Sequence, residues 1–279
     1  MTPPVLALLS DGPRLIDPTA PLLRADDLGV VRGEAVFETL RIAAGRPAFL
    51  QLHLDRLARS AARVAIDLPD GWAELARFAT DAFAARDGML RLTCTKGAPG
   101  AGPVGFALAA PVPEAVVRGR EQGVRAVTLT LGVPALLRAD APWLLGGVKS
   151  TSYAVNMASL RAAEQRAAQD AIWLSSDGFV LEAPTATVAW VADGRLVTPP
   201  ADEVGILPGT TAAVALALSA VPVEHRLGTV EELRAADEVL LLSSVRGVAP
   251  VISLDGRELG TGPVTAALRD AFERAVLEE

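Results

Sequence analysis

The stretch GGVKSTSYAVNMASLRAAEQRAAQDAIWLSSDGFVLE, residues 146–182, places one lysine at the start of a predicted helix and one carboxylate on a strand behind it. Lys149 follows a short apolar run and precedes the hydroxyl residues 150–152, which are typical of a helix N-cap. Apolar residues then recur at helical spacing. The pattern afterwards changes to short apolar runs separated by Asp-Gly at 177–178 and 193–194, which predicts β-hairpins.

Lys149 is the only lysine between Lys96 and the C-terminus, and arginine otherwise supplies the positive charge. A lysine before a helix is by itself weak evidence, because most lysines are solvated surface charges. Schiff-base chemistry, however, needs an amine that can lose its proton, which arginine cannot provide. We therefore interpret Lys149 as the amine that holds the aldehyde of a cofactor.

Composition narrows the class of protein. With 279 residues, 51% of them apolar and 21% charged, the chain can bury one large core or two moderate ones. A net charge of −7 argues against nucleic-acid binding, and apolar runs such as residues 210–223 are too short to span a membrane. A single cysteine, Cys94, excludes an intrachain disulfide framework. Together with a first apolar run that lacks a basic flank, it predicts a cytoplasmic protein.

The periodicity of the chain predicts two α/β domains. Residues 1–112 form a small N-terminal domain in which a hairpin precedes an apolar helical stripe that begins after Phe49. Two prolines and a charged run predict a linker at 113–123. Residues 124–279 form a larger, barrel-like C-terminal domain that carries Lys149. The other predicted elements include a helix at about 71–86 and strands at 88–96, 104–110 and 124–131.

Six motifs follow one another over about residues 5–275: FETLR at 37–41, HLDRLARSA at 53–61, KSTSYAVN at 149–156, DGFVLEAPTATV at 177–188, GILPGTT at 205–211 and SSVRGVAPV at 243–251. In this order they resemble the fold-type IV, or class IV, pyridoxal-phosphate enzymes. That family contains branched-chain aminotransferases, D-amino acid transaminases and 4-amino-4-deoxychorismate lyases. The resemblance implies a small N-terminal α/β domain, a larger C-terminal pseudobarrel domain, pyridoxal 5'-phosphate as cofactor, and a homodimer.

The resemblance also assigns roles toward the cofactor. Lys149 would bind its aldehyde as a Schiff base and, once displaced, move a proton. Glu182 would lie against the pyridine nitrogen and keep it protonated. Arg56 would bind the phosphate, assisted by the amides and hydroxyls of Thr210 and Thr211 at the start of a helix.

Five further residues have weaker assignments. Asn156 is a candidate for a cofactor-side hydrogen bond. Ser244 and Val245 occupy the place where the family's backbone amides receive a substrate carboxylate, and the same loop adds Arg246 to the predicted substrate-binding residues. Arg32 replaces an aromatic residue that is usual in the family. It either supplies a cation for a dicarboxylate substrate or is an exposed strand end.

Thr39 and the loop at 244–247 favour a lyase within the family. In the lyases a threonine at the position of Thr39 is thought to deliver a proton to the departing enolpyruvate. We therefore predict an aminodeoxychorismate lyase of folate biosynthesis, which forms 4-aminobenzoate and pyruvate. The alternative is a transaminase of D-amino acids or branched-chain amino acids that uses 2-oxoglutarate or pyruvate. Lys149, Glu182 and Arg56 together argue against a cofactor-free binding protein on the same fold.

Overall fold

The structure, a computed structural model, describes residues 2–279. It divides into two compact units, each with its own β-sheet. Unit 1 comprises the chain up to Pro113 with Val148–Tyr153 and Val276–Glu279, and unit 2 comprises Glu114–Gly147 and Ala154–Ala275. Among residues 2–279, no helix is long and apolar enough to cross a membrane.

Unit 1 is built on a six-stranded antiparallel sheet with strand order β2-β1-β6-β5-β3-β4. Its strands are β1 Val5–Ser10, β2 Gly12–Ile16, β3 Ala35–Ala43, β4 Arg46–Pro47, β5 Asp87–Thr95 and β6 Val104–Ala110. Its helices are α1 Leu28–Val31, α2 Leu50–Arg63 and α3 Trp72–Phe83. The predicted hairpin and both predicted helices of this region are confirmed.

The two faces of β3 have different chemistry because side chains alternate along a strand. Val36, Leu40 and Ile42 point toward α2 and α3 and belong to one buried core. Glu38 lies on this same face, so a carboxylate is inserted into an apolar layer and is fully buried. Phe37 lies on the opposite face, where no long helix of the unit packs.

The segment at 148–153 belongs to unit 1, whereas the sequence assigned Lys149 to the C-terminal domain. The reason is strand pairing at the free edge of β3. The N–H of Phe37 donates to the carbonyl of Lys149 at 3.0 Å, and the N–H of Thr151 donates to the carbonyl of Ala35 at 2.9 Å. Ser150 forms the matching bridge with Val36.

The prediction that residues 150–152 form a helix N-cap is wrong. The Thr151 hydroxyl lies 3.5 Å from the carbonyl oxygens of Gly33 and Ala35, and the Ser152 hydroxyl donates to Gly33 at 3.3 Å. These hydroxyls fasten the segment to the residues before and at the start of β3. The following helix begins later, at Ala154.

Unit 2 contains an eight-stranded mixed sheet with strand order β11-β10-β9-β12-β13-β7-β8 and β14 paired to β13. The pairs β10–β11, β13–β7 and β7–β8 are parallel. Its strands are β7 Val124–Thr130, β8 Asp170–Leu174, β9 Thr187–Ala192, β10 Arg195–Thr198, β11 Val223–His225, β12 Glu238–Ser243, β13 Gly247–Leu254 and β14 Arg257–Glu258. Its helices are α4 Glu114–Gln122, α5 Leu137–Asp140, α6 Ala154–Glu164, α7 Ala201–Val204, α8 Thr210–Ala217, α9 Val230–Ala235 and α10 Pro263–Glu278, the last of which ends in unit 1.

The predicted linker at 113–123 is a helix. Residues Glu114–Gln122 form α4, which packs against β13 and belongs to unit 2. The charged composition that suggested a linker describes the solvated side of this helix. Its buried side includes Gly119.

Tight turns join several strands of unit 2. Asp193 and Gly194 both have positive φ, as a type I′ hairpin requires, and connect β9 to β10. A three-residue loop at 244–246 connects β12 to β13, and Gly247 follows it with φ +73°. Glycine suits that position because a left-handed backbone has no steric cost for it.

Candidate active site

Lys149 has a fixed backbone and an amine placed against aromatic rings. Its N–H donates to the hydroxyl of Ser60 on α2 at 3.2 Å, and its carbonyl accepts from Phe37. Its Nζ lies 4.7 Å from the centre of the Phe37 ring and 5.8 Å from that of Tyr153. The two rings meet edge to face with centres 5.1 Å apart. The lysine amine is therefore held in a defined, partly apolar position.

Arg56 is bound by a carboxylate that the sequence analysis did not assign. Its Nε and Nη2 donate to the two oxygens of Glu38, each at 2.7 Å, in a bidentate pair. Nδ1 of His53 lies 2.6 Å from Glu38 Oε2. All three side chains are buried. Because His53, Arg56 and Ser60 recur at helical spacing, α2 turns one polar stripe toward both Glu38 and Lys149.

Burial and mutual contact shift the pKa values of Glu38 and His53. Burial alone would raise the pKa of Glu38, but the hydrogen bonds and charge of Arg56, with those of His53, lower it to about 2. Burial lowers the pKa of His53 and outweighs the opposing effect of Glu38. His53 is therefore neutral near pH 7. Since a carboxylate only accepts hydrogen bonds, the proton of the imidazole is assigned to Nδ1.

Arg91 on β5 is a cation that the sequence analysis missed. Its guanidinium carbon lies 3.8 Å from the centre of the Phe37 ring, so this ring contacts both Arg91 and Lys149. Among residues 2–279, no carboxylate forms an ion pair with Arg91. Burial lowers its pKa. In the sequence, Arg91 is marked only by its position on a strand with alternating polar and apolar residues. That alternation does not show which face of the sheet borders a cavity.

A cavity of about 320 Å³ lies on the Arg91 face of the unit 1 sheet. Alternate residues of β5, namely Arg91, Thr93 and Thr95, line it together with Phe106 and Leu108 of β6. Its wall is therefore largely apolar with hydroxyl groups and one guanidinium. Such a wall suits a small molecule that has an apolar body and a negative charge.

Thr39 and Arg32 lie in different surroundings. Thr39 is half-buried on β3, pairs with Arg91 across the strands, and shares the face of Phe37. Arg32 is exposed at the C-terminal end of α1, where its backbone N–H caps the helix by donating to Leu28. Only Thr39 therefore lies on the sheet face that carries the Lys149 amine.

Glu182 in unit 2 has its carboxylate fixed at both oxygens. Arg138 donates from Nη1 to Oε1 at 3.2 Å, and the N–H of Leu207 donates to Oε2 at 3.1 Å. Arg138 reaches this position because α5 packs directly on Gly205, whose φ is +65° and where a Cβ would lie 2.6 Å from the backbone of Arg138. Arg138 is a third residue, after Glu38 and Arg91, that the sequence did not point to.

The start of α8 lies beside the 244–246 loop. Thr210 and Thr211 are buried in the first turn, and the hydroxyls of Thr210 and Ser244 are 3.5 Å apart. The N-cap is Gly209, which has no side chain to accept from the first-turn amides. A Cβ at Gly209 would lie 2.4 Å from the hydroxyl oxygen of Thr187. The structure thus brings together two of the predicted anion-binding segments.

Two residues that the sequence predicted to bind cofactor or substrate have hydrogen-bond partners within the protein. Asn156 Nδ2 donates to the carbonyl of Pro184 at 2.6 Å and so holds the chain after Glu182. Arg246 Nη2 donates to the buried Asp170 at 2.7 Å. The roles of Asn156 and Arg246 toward cofactor and substrate stay predictions, and the structure adds that each side chain also binds the protein itself. A residue's position in a motif does not show which partner its side chain meets.

Comparisons with known proteins identify the class of this fold and site. The sequence profile of the family described as amino-transferase class IV matches residues 35–254. The chain belongs to this family. The predicted family and the predicted fold-type IV architecture are confirmed.

Particular members of the family are similar over almost the whole chain. The chain is 37% identical over 281 residues to the bifunctional aminodeoxychorismate lyase / D-amino acid transaminase of Mycobacterium tuberculosis, covering 95% of this chain and 97% of that protein. A hypothetical aminotransferase from M. tuberculosis in a PLP-bound form matches with a TM-score of 0.93, 37% identity, and coverage of 98% and 99%. Its form with α-ketoglutarate and PMP gives the same values. A fold IV transaminase from Curtobacterium pusillum matches with a TM-score of 0.91 and 37% identity over 99% and 100%.

Proposed function

We propose that this chain is a pyridoxal 5'-phosphate enzyme that cleaves 4-amino-4-deoxychorismate to 4-aminobenzoate and pyruvate. The observation that carries the proposal is Lys149, whose backbone is held by Phe37 and Ser60 and whose amine lies against two aromatic rings. A positioned lysine amine is the group that binds the aldehyde of this cofactor. When bound, the cofactor supplies a sink for electrons released from a bond next to the substrate nitrogen.

The residues of unit 1 fit such a cofactor. Lys149 would bind the aldehyde carbon and later accept or return a proton through Nζ. Arg56, whose Nε and Nη2 are bound by Glu38, would bind the phosphate with its guanidinium charge. His53 and Glu38 would keep that guanidinium in one orientation. Thr39, on the face of Phe37, would deliver a proton to the departing enolpyruvyl group.

The residues of unit 2 fit the same cofactor. Glu182 would accept a hydrogen bond from the protonated pyridine nitrogen, and Arg138 with the Leu207 amide would hold the carboxylate in place. The start of α8, at Thr210 and Thr211, would bind phosphate oxygens, because the N-terminus of a helix attracts anions. The amides of the 244–246 loop would bind the substrate carboxylate.

A transaminase of D-amino acids or branched-chain amino acids is the second candidate. It is favoured by the relatives, one of which carries both activities in its name and another of which is solved with α-ketoglutarate and PMP. In that reaction Lys149 would return the proton to the cofactor's carbon, and Thr39 would have no leaving group to protonate. The guanidinium of Arg91, which lines the cavity, would bind one carboxylate of an acceptor such as 2-oxoglutarate.

The experiment that tests the proposal supplies the loaded enzyme with 4-amino-4-deoxychorismate and, separately, with D-alanine plus 2-oxoglutarate. The products 4-aminobenzoate and glutamate are quantified by chromatography. We expect 4-aminobenzoate to form with saturable kinetics. Thr39→Ala should lower the rate of 4-aminobenzoate formation about 10²-fold and leave the rate of glutamate formation within about twofold. Glutamate without 4-aminobenzoate would replace the lyase by the transaminase, and neither product would contradict both.

We propose further that the protein is a cytoplasmic homodimer. Large apolar side chains are exposed near α5, and among them Trp143 is 77% exposed with Leu136 at 49%. Apolar side chains at this exposure are typical of a surface that another protein covers. Light scattering coupled to size-exclusion chromatography should give twice the chain mass of 29.0 kDa. Trp143→Asp together with Leu136→Asp should shift the protein toward the monomer.

A further inference from the structure

The loop at 244–246 is fixed at two points by arginine side chains. Arg120 on α4 donates from Nη2 to the carbonyl oxygen of Val245 at 2.6 Å. Arg246, within the loop, donates from Nη2 to Asp170 at the start of β8 at 2.7 Å. Asp170 is 1% exposed, and its other oxygen accepts from the N–H of Ala171. The loop is therefore fastened to α4 by its backbone and to β8 by its side chain.

Gly119 leaves room for this arrangement. A Cβ at this position would lie 3.1 Å from Cδ of Arg246 and 3.2 Å from Cγ1 of Val124. Glycine in the interior of a helix weakens the helix, so its presence needs a local reason. The aliphatic part of Arg246 lies against the helix at this point. Gly119 and Arg120 are thus adjacent residues that contact the two fixed parts of the loop.

Holding the Val245 carbonyl sets the direction of the Arg246 amide. A peptide unit is planar and trans, so its C=O and N–H point in opposite directions. With the Val245 oxygen bound to Arg120, the N–H of Arg246 points away from α4. At the end of the loop, Gly247 takes the left-handed conformation that three-residue hairpin loops favour. Both ends of the loop and its central carbonyl are therefore constrained.

We propose that Arg120, Asp170 and Arg246 are positioning residues that direct the N–H groups of the 244–246 loop at the carboxylate of the amino substrate. The inference rests on the proposed function, in which this loop binds that carboxylate. It gives the three side chains a role in specificity, because they distinguish an amino acid from a simple amine without contacting either. Loss of the constraint should weaken carboxylate recognition and leave the reaction at the amine unchanged.

Two small reagents separate these effects in the loaded enzyme. Aminooxyacetate and methoxyamine would displace Lys149 from the cofactor through the same aminooxy group, and only aminooxyacetate carries a carboxylate. Their second-order rate constants are followed by stopped-flow loss of the cofactor's visible absorbance. The variants are Arg120→Met, Asp170→Asn and the conservative Arg120→Lys. The matched control is Arg118→Met on the same helix, whose side chain is exposed and pairs with Glu114.

We expect Arg120→Met and Asp170→Asn to lower the ratio of the aminooxyacetate to the methoxyamine rate constant about tenfold, the effect of one lost charge-assisted hydrogen bond. The methoxyamine rate constant should stay within about twofold of wild type. Arg120→Lys should recover part of the ratio, and Arg118→Met should keep it. By isothermal titration calorimetry, the dissociation constant of propionate for the loaded enzyme should rise about tenfold in the first two variants.

The inference is overturned by an unchanged ratio in both variants, by an equal fall of both rate constants, or by a wild-type enzyme without preference for aminooxyacetate. A purified protein that shows no visible cofactor absorbance would instead contradict the proposed function itself. The two failures are therefore distinguishable in the same measurement.

Discussion

The two units hold their functional groups in different ways. In unit 1, Arg56 is held by the buried carboxylate of Glu38, which also binds His53, so the contacts around Arg56 are between charged or polar side chains. In unit 2 the groups that we propose to bind ligand are mainly backbone amides, at α8 and at the 244–246 loop, and arginine side chains hold that loop. A buried charge tolerates the loss of its partner poorly, whereas every substitution except one by proline leaves the backbone N–H in place. Unit 1 should therefore depend on individual side chains far more than unit 2.

The largest expected effect of a single substitution lies in unit 1. Lys149→Ala should remove the visible absorbance of the bound cofactor and lower turnover about 10⁴-fold, because alanine has no amine to bind the aldehyde and move the proton. Absorbance spectra and product assays measure both. Lys96→Ala is the control, since Lys96 pairs with Glu34 at a partly exposed position. Full activity with unaltered absorbance in Lys149→Ala would remove the central assignment.

A matched pair of carboxylates sharpens the comparison of stability. Glu38→Gln should lower the free energy of unfolding by about 3–5 kcal/mol, because it leaves the Arg56 charge buried without a counterion. Glu182→Gln should cost only about 1 kcal/mol, since its side chain is 12% exposed and still accepts from the Leu207 amide. Urea unfolding of both variants provides the measurement. Equal losses would mean that the two units do not differ in this respect.

The same buried carboxylate predicts an acid-sensitive unit 1. Glu38 has its pKa lowered from 4.5 to about 2, so its contribution of about 3 kcal/mol is complete above pH 4.5 and is lost as the pH falls toward 2. His53, with its pKa lowered by burial, adds a loss below its ordinary pKa of 6.5 because protonation favours the unfolded chain. Urea unfolding between pH 7 and pH 3 should show a steeper decline for wild type than for Glu38→Gln. Parallel profiles would contradict the pairing.

The smallest expected effect concerns the two arginines whose roles the structure separates. Arg91 has no carboxylate partner among residues 2–279, whereas Arg246 is bound to Asp170. Arg91→Met should raise the KM for 2-oxoglutarate about tenfold and leave that for pyruvate, which lacks a distal carboxylate, within about twofold. Steady-state transamination with D-alanine or D-glutamate as donor measures both constants, and Arg86→Met at an exposed position is the control. Equal changes for the two acceptors would exclude Arg91 from recognition of the distal carboxylate.

Local sequence patterns predicted what depends on neighbours along the chain. Alternation predicted β3 and β5, helical spacing predicted α2 and α3, and the Asp-Gly pair predicted the turn at 193–194, because each of these follows from residues a few positions apart. The order of the motifs predicted the family. The presence of lysine rather than arginine at position 149 predicted an amine that can form a Schiff base. Composition could not distinguish a linker from α4, since a solvated helix face is also charged.

Tertiary structure decided which side chains meet across long separations. The Lys149 segment belongs to unit 1 because it pairs with the edge of β3. Neither the sequence of β3 nor that of the Lys149 segment shows this pairing by itself. Arg246 meets Asp170, 76 residues away, and the partner of Glu182 is Arg138, 44 residues away. Hydrophobic periodicity predicts which face of a helix or strand is buried, but not which charged group from a distant element packs against that face. The amino-acid sequence therefore determined the chemistry available to this protein, and the packing of distant elements determined which groups bind ligand and which hold them in place.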